Sequence, residues 1–261
     1  MRDKLQSIGQ KFSRRVKPRR NPAERFPIAY KPQTHENEIV AHFTTGGRQL
    51  FTLPHQPAVE RNVVLCFTNR CGSNWLSALL AATGLIGHAD EFFNAPRLIR
   101  TATNTNANSF SEAIYNQATA LVEQVENSFI CKLSWDQLYF FAKTRIIPEI
   151  MPNTQYILMR RNDIAAQALS MCVAEQTGQW TSFWNSGKNG KRDLNKITDM
   201  EIQHAIDEVT FKNHQFRRFF GTFGITPIEV IYEDLVANPQ QELERLVEAL
   251  NLNPKGRKWK L

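Results

Sequence analysis

The sequence has few cysteines, and none of them has the spacing of a metal ligand or of a disulfide framework. Its four cysteines are scattered along 261 residues, at Cys66, Cys71, Cys131 and Cys172. Structural zinc sites and small disulfide-bonded domains need cysteines at short, paired intervals, so the sequence excludes both classes. The histidines show no metal-binding spacing either. We therefore predict reduced thiols and no metal site, which is typical of a cytoplasmic protein.

Long apolar runs are also absent. A membrane-spanning helix needs roughly 18 consecutive apolar residues, and a secretory signal needs an apolar core near its N-terminus. Neither pattern occurs in this sequence, so we expect the protein to stay in the cytoplasm. With 42% apolar and 22% charged residues, the composition is that of a globular protein with a sizeable core, and it excludes a disordered or fibrous chain.

Acidic residues are in the minority. Lys and Arg together number 32 against 25 Asp and Glu, which gives a formal net charge of +7. This charge favours anionic partners such as phosphates, sulfates, nucleic acid or a membrane surface. Much of the surplus lies in residues 1–26, where apolar side chains recur at helical spacing at Leu5, Ile8, Phe12 and Val16. We interpret this segment as a basic amphipathic tail that either binds the anionic inner face of the membrane or remains solvated and partly disordered.

Beyond the tail, short apolar runs alternate with longer helical patterns. The apolar runs predict buried strands at 62–68, 129–134, 155–160 and 228–232. Helical periodicity is found at 73–83, 110–127, 163–177, 198–222 and 239–250. This alternation predicts an α/β fold with a central parallel sheet flanked by helices, formed by residues 27–261 as a single domain. Ligands of such sheets usually bind at the carboxyl ends of the strands.

The segment "CFTNRCGSNWL" (66–76) lies at such a strand end, between the first predicted strand and the helix that follows it. Gly72 allows a tight turn, and Ser73 and Asn74 join the first helical amides in a site that suits an anion. Arg70 adds a positive fork that binds phosphate through charge-assisted hydrogen bonds. A simple helix-capping role for Ser73 is the alternative. The sequence has no G-x-x-x-x-G-K-[ST] pattern, which excludes the phosphate loop of nucleoside triphosphatases.

Three blocks of sequence, in one order, carry a family resemblance. The pattern T-x-R-x-G-S-N-W-L comes first, "ATGLIGHADEFFN" (82–94) follows, and "RRNDIAAQALSMCVAEQTGQW" (160–180) completes the series. Together with "CKLSW" (131–135) and "VIYEDL" (230–235), these blocks make the chain resemble the Stf0-type sulfotransferases over about residues 60–240. The resemblance implies a P-loop-like sulfotransferase fold, 3′-phosphoadenosine 5′-phosphosulfate (PAPS) as the sulfuryl donor, and no metal.

The resemblance also implies which residues bind the sulfated end of the donor. Arg70, Gly72, Ser73 and Asn74 match the loop that holds the 5′-phosphosulfate, with Arg70 beside the bridging oxygen of the leaving group. Cys71 stands where many relatives carry serine, and we assign it a donor contact through its backbone. A reactive cysteine is the alternative.

The 3′-phosphate of the donor is assigned to the third block. Arg161 and Ser170 match the arginine and serine that bind this phosphate in the family. Arg160 is a reserve candidate for the same contact, and a hydroxyl bonded back to its own helix is the alternative for Ser170. Further basic candidates lie near the C-terminus, at Lys255, Arg257 and Lys258. Relatives continue beyond that point, so an incomplete donor site is a second alternative.

The resemblance assigns the catalytic base to Glu91, which precedes two aromatic residues in "HADEFF". Phe92 and Phe93 are placed to shield its carboxylate and raise its pKa, which suits a group that takes the proton of an acceptor hydroxyl. Asp90 and His88 are weaker candidates for the base. An ordinary loop acid is the alternative for Glu91.

Residues that would meet the acceptor are predicted from composition and position. Lys132 is a candidate catalytic residue that orients the sulfonate or the acceptor, and Trp135 is a candidate wall of a sugar site; a structural role is the alternative for each. The stretch 94–110, rich in Asn and Thr, is expected to bind carbohydrate or to be only a connection. The stretch 177–195 combines a basic loop with two aromatic faces, Trp180 and Trp184.

The sequence thus predicts a sulfotransferase that moves a sulfuryl group from PAPS to a hydroxyl of a carbohydrate or glycolipid by in-line transfer, with Glu91 as base. Two other classes stay open. One is a catalytically impaired nucleotide-binding scaffold that retains the phosphate loop. The other is a basic protein that binds nucleic acid through its N-terminal tail, although we find no recognised nucleic-acid motif.

Overall fold

The structure of the protein is a computed structural model, and it describes residues 34–45, 61–122, 128–144, 146–180 and 197–252. The predicted N-terminal tail, most of the stretch 177–195 with its Trp184, and the C-terminal basic residues lie outside the described residues. Among the residues described, no helix combines the length and the apolar character needed to cross a membrane.

Four parallel strands form one sheet in the described part of the chain. They are β1 (Arg61–Phe67), β2 (Ser128–Ser134), β3 (Thr154–Arg160) and β4 (Ile228–Ile231), in the spatial order β2-β1-β3-β4. Each strand end differs from its prediction by at most one residue. Because the strand order reverses at β1, the carboxyl ends of β1 and β3 form the crevice in which ligands of open α/β sheets bind. The predicted α/β fold with a central parallel sheet is confirmed.

Helices pack on both faces of this sheet. Before and between the first strands lie α1 (Thr34–Thr44), α2 (Ser73–Ala82), α3 (Ala95–Thr105) and α4 (Phe110–Val122). After β2 and β3 come α5 (Trp135–Lys143), the short α6 (Ile146–Glu149), α7 (Ile164–Thr177) and α8 (Asp199–Phe223). After β4 come α9 (Tyr232–Ala237) and α10 (Pro239–Ala249). The helices predicted from periodicity are confirmed, with α4 described as far as Val122, whereas α1, α3, α5, α6 and α9 were not predicted.

Each face of the sheet has its own core. Val64 and Cys66 of β1 pack in the cluster under α4, α5 and α8, whereas Val63, Leu65 and Phe67 pack in the cluster under α2 and α10. A strand that is buried on both faces has a continuous apolar sequence rather than an alternating one. This is why β1 could be recognised from its sequence.

The stretch 94–110, expected to be a carbohydrate-binding segment or a connection, is mostly the helix α3. Asn94 caps it, since its side chain accepts a hydrogen bond from the Arg97 amide at 3.1 Å. The buried positions recur at helical spacing, at Ala95, Leu98 and Ala102. Polar side chains pair with α4, as where Asn116 donates to Thr105 Oγ1 at 3.1 Å. The alternative of a simple connection was wrong, because the Asn and Thr content hid the narrow apolar face of a helix.

Trp135 belongs to the core and does not line a sugar site. It is the first residue of α5 and follows the N-cap Ser134, whose hydroxyl accepts a hydrogen bond from the Gln137 amide at 3.4 Å. Its side chain is 2% exposed and packs edge-on against Phe216, with ring centroids 5.6 Å apart. The chain changes from strand to helix at this point, which turns the tryptophan inward.

Candidate active site

A cavity of about 430 Å³ opens at the carboxyl edge of the sheet. Its walls come from the loop after β1, the start of α2, the segment before α3, strand β2 and the chain just beyond β3 and β4: Phe67, Asn69, Arg70, Gly72, Ser73, Asn74, Trp75, Asp90, Glu91, Lys132, Arg161, Ser170, Trp180 and Tyr232. Every first-choice catalytic and donor-binding residue except Cys71 is in this lining, whereas the reserve candidates Arg160 and His88 are not. The structure therefore brings together residues from all three resemblance blocks.

The loop after β1 turns sharply into α2. Gly72 is the N-cap residue of α2 and has a φ of 95°, in the left-handed region that favours glycine. Its carbonyl accepts hydrogen bonds from the amides of Trp75 and Leu76 at 3.0 and 3.1 Å. Ser73 is thus the first helical residue, and the interpretation of Ser73 as a helix cap is wrong. The first-turn amides of a helix lack intrahelical partners, so they suit an anion in the cavity.

Arg70 joins the two predicted phosphate-binding regions. Its Nε donates to Ser170 Oγ at 2.9 Å, and its Nη1 donates to the carbonyl oxygen of Trp180. The Ser170 hydroxyl therefore faces the cavity and accepts from the arginine. Arg70 itself has a φ of 66°, an uncommon value for a residue with a side chain.

Arg161 enters the cavity, whereas Arg160 turns away from it. The Arg161 guanidinium carbon lies 4.8 Å from the centroid of the Tyr232 ring, and its Nε lies 4.0 Å from Glu233 Oε1. The Arg160 Nη2 instead contacts Glu229 Oε2 at 2.6 Å. This arrangement favours Arg161 over the reserve candidate for contact with a ligand in the cavity.

Lys132 links the anion-binding loop to the predicted base. Its side chain is 2% exposed, and its Nζ hydrogen-bonds to Asn74 Oδ1 and lies 3.7 Å from Glu91 Oε1. The same Nζ lies 5.1 Å from the centroid of the Phe67 ring, close enough for a cation–π contact. A buried ammonium group requires such partners. Lys132 therefore places a positive charge between Asn74 and Glu91.

Glu91 and Asp90 are adjacent carboxylates with opposite pKa shifts. Burial raises the pKa of Glu91, and the nearby Lys132 ammonium only partly opposes this shift. Burial would also raise the pKa of Asp90, but the Glu91 amide and the Arg97 guanidinium outweigh it and hold that pKa below its usual value. Asp90 Oδ2 accepts from Arg97 Nη1 at 2.6 Å, and Asp90 Oδ1 accepts from the Glu91 amide at 2.8 Å.

The segment that carries Glu91 is fixed by hydrogen bonds to β2 and α2. The Lys132 amide donates to the Asp90 carbonyl oxygen at 2.9 Å, and the Ser77 hydroxyl donates to the Ala89 carbonyl oxygen at 2.5 Å. These bonds hold the backbone on both sides of the cavity wall. The Glu91 side chain remains 38% exposed and faces the cavity.

The aromatic and histidine neighbours of Glu91 have different surroundings. Phe92 lies partly buried under Arg97, whose guanidinium carbon is 5.2 Å from its ring centroid. Phe93 is fully buried and packs on Phe141, with ring centroids 5.2 Å apart, so it belongs to the core rather than to a shield over the carboxylate. His88 is exposed and lies outside the cavity lining.

Cys71 differs from its neighbours in the loop because its side chain points into the core. It is fully buried in the cluster under α2 and α10, and burial raises the pKa of its thiol to about 11. Its amide donates to the Thr68 carbonyl oxygen at 3.3 Å. A buried, protonated thiol is a poor nucleophile, so this environment disfavours a reactive cysteine.

Besides the lining residues Phe67, Asn69 and Trp75, three residues that contact the site or its residues were missed from the sequence. Tyr232 packs against Arg161 and Gly72, and Glu233 accepts hydrogen bonds from the Asn162 and Asp163 amides at 3.1 Å. Both lie in the block "VIYEDL", which was noticed only as part of the resemblance. The third is a buried glutamine of α7, Gln167, which bonds to the loop after β1.

A metal centre was not predicted. In the part of the chain that the structure describes, no group of three or more His, Cys, Asp or Glu side chains could hold a metal ion. The cavity instead combines cationic side chains, helical amides and two carboxylates. Such a set can bind an oxyanion and accept a proton.

Comparison with solved structures finds sulfotransferase domains. The domain from the Synechococcus PCC 7002 olefin synthase has 14% sequence identity and a TM-score of 0.45, with 80% of this chain and 82% of that chain covered. The domain from the curacin biosynthetic pathway has 17% identity and a TM-score of 0.47, with 77% and 76% covered. No curated protein matches the sequence.

The family comparison is the decisive one. The model of the Stf0 sulphotransferase family matches residues 62–260, a range that holds every residue of the cavity lining and the four described strands except Arg61, the first residue of β1. Because this match covers most of the chain, the protein belongs to the Stf0 sulfotransferase family.

Proposed function

We propose that the protein transfers a sulfuryl group from PAPS to a hydroxyl of a carbohydrate or glycolipid acceptor. The observation that carries this proposal is the single cavity in which Arg70, Arg161 and Ser170 meet the Lys132–Glu91 pair. Cationic groups and helical amides suit the two phosphate-bearing ends of the donor, and a carboxylate with a raised pKa suits proton removal from the acceptor. A scaffold that only bound nucleotide would not need that carboxylate.

The donor is bound by two regions of the cavity. The first-turn amides of α2, with Ser73 and Asn74, hold the 5′-phosphosulfate beside Arg70, whereas Arg161 and Ser170 hold the 3′-phosphate. Each charge-assisted hydrogen bond contributes roughly 1.5 to 3 kcal/mol when it is shielded from water. Tyr232 and Glu233, which contact the Arg161 guanidinium, orient it. No metal is needed, because these side chains supply the positive charge.

Transfer proceeds in one in-line step. As the sulfur–oxygen bond to the donor breaks, negative charge develops on the departing phosphate oxygen, where the Arg70 guanidinium stabilises it. The acceptor hydroxyl forms the new sulfur–oxygen bond and gives its proton to Glu91. Lys132 holds the Glu91 carboxylate and Asn74 on the two sides of the reacting group. The products are the sulfated acceptor and adenosine 3′,5′-bisphosphate.

A sugar hydroxyl is the acceptor that the rim of the cavity favours. Trp180 lines the cavity and is 43% exposed, and its carbonyl oxygen accepts a hydrogen bond from Arg70. Exposed aromatic faces beside charged groups suit the mixed apolar and polar surfaces of a polyhydroxylated ring. Trp135 and the Asn- and Thr-rich helix α3 do not contribute to this surface, so the acceptor assignment rests on Trp180.

The donor site is tested by calorimetric titration of the full-length protein with adenosine 3′,5′-bisphosphate in metal-free buffer. We expect one-to-one binding by the wild type, about 10- to 100-fold weaker binding by Arg161→Ala, and unchanged binding by Glu91→Gln. If the wild-type protein does not bind the bisphosphate, the PAPS assignment is wrong.

The base is tested by turnover with a panel of sugar and glycolipid acceptors. Glu91→Gln should lower kcat by about 10² to 10⁴ while leaving donor affinity intact, since only the proton acceptor is lost. Glu248→Gln, a matched change at an exposed position of α10, serves as the control and should keep full activity. Full turnover by Glu91→Gln would remove Glu91 from the mechanism.

A further inference from the structure

Gln167, on α7, is fully buried and bonds to the loop that follows β1. Its Nε2 donates to Thr68 Oγ1 at 2.9 Å and to the Asn69 carbonyl oxygen at 2.7 Å. Its Oε1 is buried without a hydrogen-bond partner among the described residues. A buried amide with an unmatched acceptor fills a core less well than an apolar side chain of the same size. Packing alone therefore does not explain a glutamine at this position.

The bond to the Asn69 carbonyl acts on the conformation of Arg70. That carbonyl belongs to the peptide group that joins the two residues, so its direction is coupled to the backbone angles of Arg70. Arg70 has a φ of 66°, and a non-glycine residue keeps such a conformation only where its surroundings hold it. Without the Gln167 amide the peptide can rotate, and Arg70 can relax to a negative φ that points its side chain elsewhere.

Gln167 also connects the two phosphate regions of the cavity. It lies three positions before Ser170, and residues at that spacing share one face of a helix. On this face Ser170 accepts a hydrogen bond from Arg70 Nε at 2.9 Å. The helix that carries the 3′-phosphate serine therefore also holds the loop that carries the 5′-phosphosulfate arginine.

We propose that Gln167 is a positioning residue for the 5′ half of the donor site. It does not touch the donor; it fixes the peptide before Arg70 and so aims the guanidinium at the phosphosulfate. This inference rests on the proposed function, because it takes Arg70 as a donor-binding group. It predicts a selective effect on ligands that carry a 5′-phosphate.

The test is calorimetric titration of the full-length protein with three nucleotides. The probes are adenosine 3′,5′-bisphosphate, adenosine 5′-monophosphate and adenosine 3′-monophosphate. We expect Gln167→Leu to weaken binding of the two nucleotides that carry a 5′-phosphate by about tenfold, or about 1.4 kcal/mol. Its affinity for adenosine 3′-monophosphate should stay within about twofold of the wild-type value. A residue that only stabilised the fold would affect all three nucleotides equally.

A matched control and a double variant sharpen this test. Gln215, on α8, is a second buried glutamine outside the cavity lining, and Gln215→Leu should leave the affinity for all three nucleotides unchanged. Because Gln167 acts through Arg70, the double variant Arg70→Ala with Gln167→Leu should bind the bisphosphate no more weakly than Arg70→Ala alone. Additive losses would mean that Gln167 acts by another route.

Gln167→Met covers the case in which the leucine variant does not fold. It keeps the length of the side chain but has no NH₂ group to donate to the Asn69 carbonyl. The same selective loss for 5′-phosphates is expected. Wild-type affinity for all three nucleotides in either folded variant overturns the positioning role while leaving the donor site intact. Failure of the wild type to bind the bisphosphate overturns the proposed function and this inference together.

Discussion

Glu91 and Asp90 show how single residues with the same functional group acquire different tasks. Asp90 is held by Arg97 and by the Glu91 amide, which stabilise its ionised form. Burial of Glu91 destabilises its ionised form, with Lys132 as the main opposing charge. Neighbouring titratable groups whose pKa values are pushed apart commonly divide acid–base and structural roles. These opposite shifts support the proposal that Glu91, rather than Asp90, takes the proton of the acceptor.

The Lys132 charge sets how far the pKa of Glu91 rises. Its ammonium favours the ionised carboxylate, so Lys132→Met should raise the pKa of Glu91 further and move its titration to higher pH. The raised pKa also makes the free energy of unfolding depend on pH. A carboxyl with a raised folded-state pKa stabilises the fold at low pH, and this contribution is lost as pH rises through that pKa. Carbon-13 NMR of the Glu91 carboxyl across a pH series measures the shift directly.

Lys143→Met is the control for this titration. Lys143 pairs with Glu36 Oε1 at 2.8 Å, on another part of the surface, so its removal deletes a charge without touching the cavity. We expect the Glu91 titration to be unchanged in this variant. A Glu91 titration that stays in place or moves to lower pH in Lys132→Met would contradict the electrostatic role of Lys132.

The residues of the site that could be predicted are those whose place follows from chain order. Arg161 comes directly after β3 and Arg70 lies three residues beyond the end of β1, and the carboxyl ends of parallel strands meet at one edge of a sheet. Gln167 was missed because its partner Thr68 is 99 positions away and nothing in the local pattern marks the contact. Trp135 was misplaced for a related reason: position at a strand end does not determine side-chain direction once a helix begins.

At the scale of elements, the start of α2 is fixed by its contact with α9. Gly72 lies against Tyr232, and a Cβ at Gly72 would be 2.5 Å from Tyr232 Cδ2 and 3.0 Å from Met159 Cε. Gly72→Ala should therefore lower the free energy of unfolding by about 1 to 2 kcal/mol for the left-handed backbone and by about 1 to 3 kcal/mol more for overpacking. It should also weaken bisphosphate binding, because the α2 amides shift. Urea unfolding and calorimetry measure the two effects.

Gly84→Ala separates the backbone contribution to the lost stability from the overpacking contribution. Gly84 also has a positive φ, 67°, but a Cβ there would meet nothing within 4 Å. This control should lose only the backbone contribution and should keep its nucleotide affinity. If Gly72→Ala were no more destabilised than Gly84→Ala, the contact between α2 and α9 would not constrain the loop.

The elements differ in how far their sequences define them. The four strands were predicted to within one residue because strands buried on both faces are continuous apolar runs. The helix α3 was missed because its caps and exposed face are Asn- and Thr-rich, which is also the composition of a loop. Short helices such as α9 contain too few turns for periodicity to be visible. Packing against the sheet, rather than local propensity, decides whether such segments are helical.

At the scale of the molecule, the cavity joins regions that pack in separate cores. The start of α2 belongs to the core on one face of the sheet, whereas α7 packs with α8 in a small cluster of its own. A nucleotide that contacts both regions links them and should stabilise the whole fold. The net charge of +7 also attracts polyanions without any specific site. Binding of the nucleotide at the proposed site depends on Arg161, whereas nonspecific binding of polyanions does not.

Thermal unfolding with and without ligand separates the sulfotransferase from a basic nucleic-acid-binding protein. At a concentration of 100 times its Kd, adenosine 3′,5′-bisphosphate should stabilise the wild type by about 2.7 kcal/mol, which raises Tm by about 5 to 10 °C. Arg161→Ala, which should bind about 10- to 100-fold more weakly, should keep only about 1.4 to 0.4 kcal/mol of this stabilisation at the same concentration, whereas adenosine, which carries no phosphate, should give none. A DNA oligonucleotide that raised the Tm of the wild type and of Arg161→Ala equally, and by as much as the bisphosphate raises that of the wild type, would instead assign binding to the basic surface. A specific donor site would require Arg161.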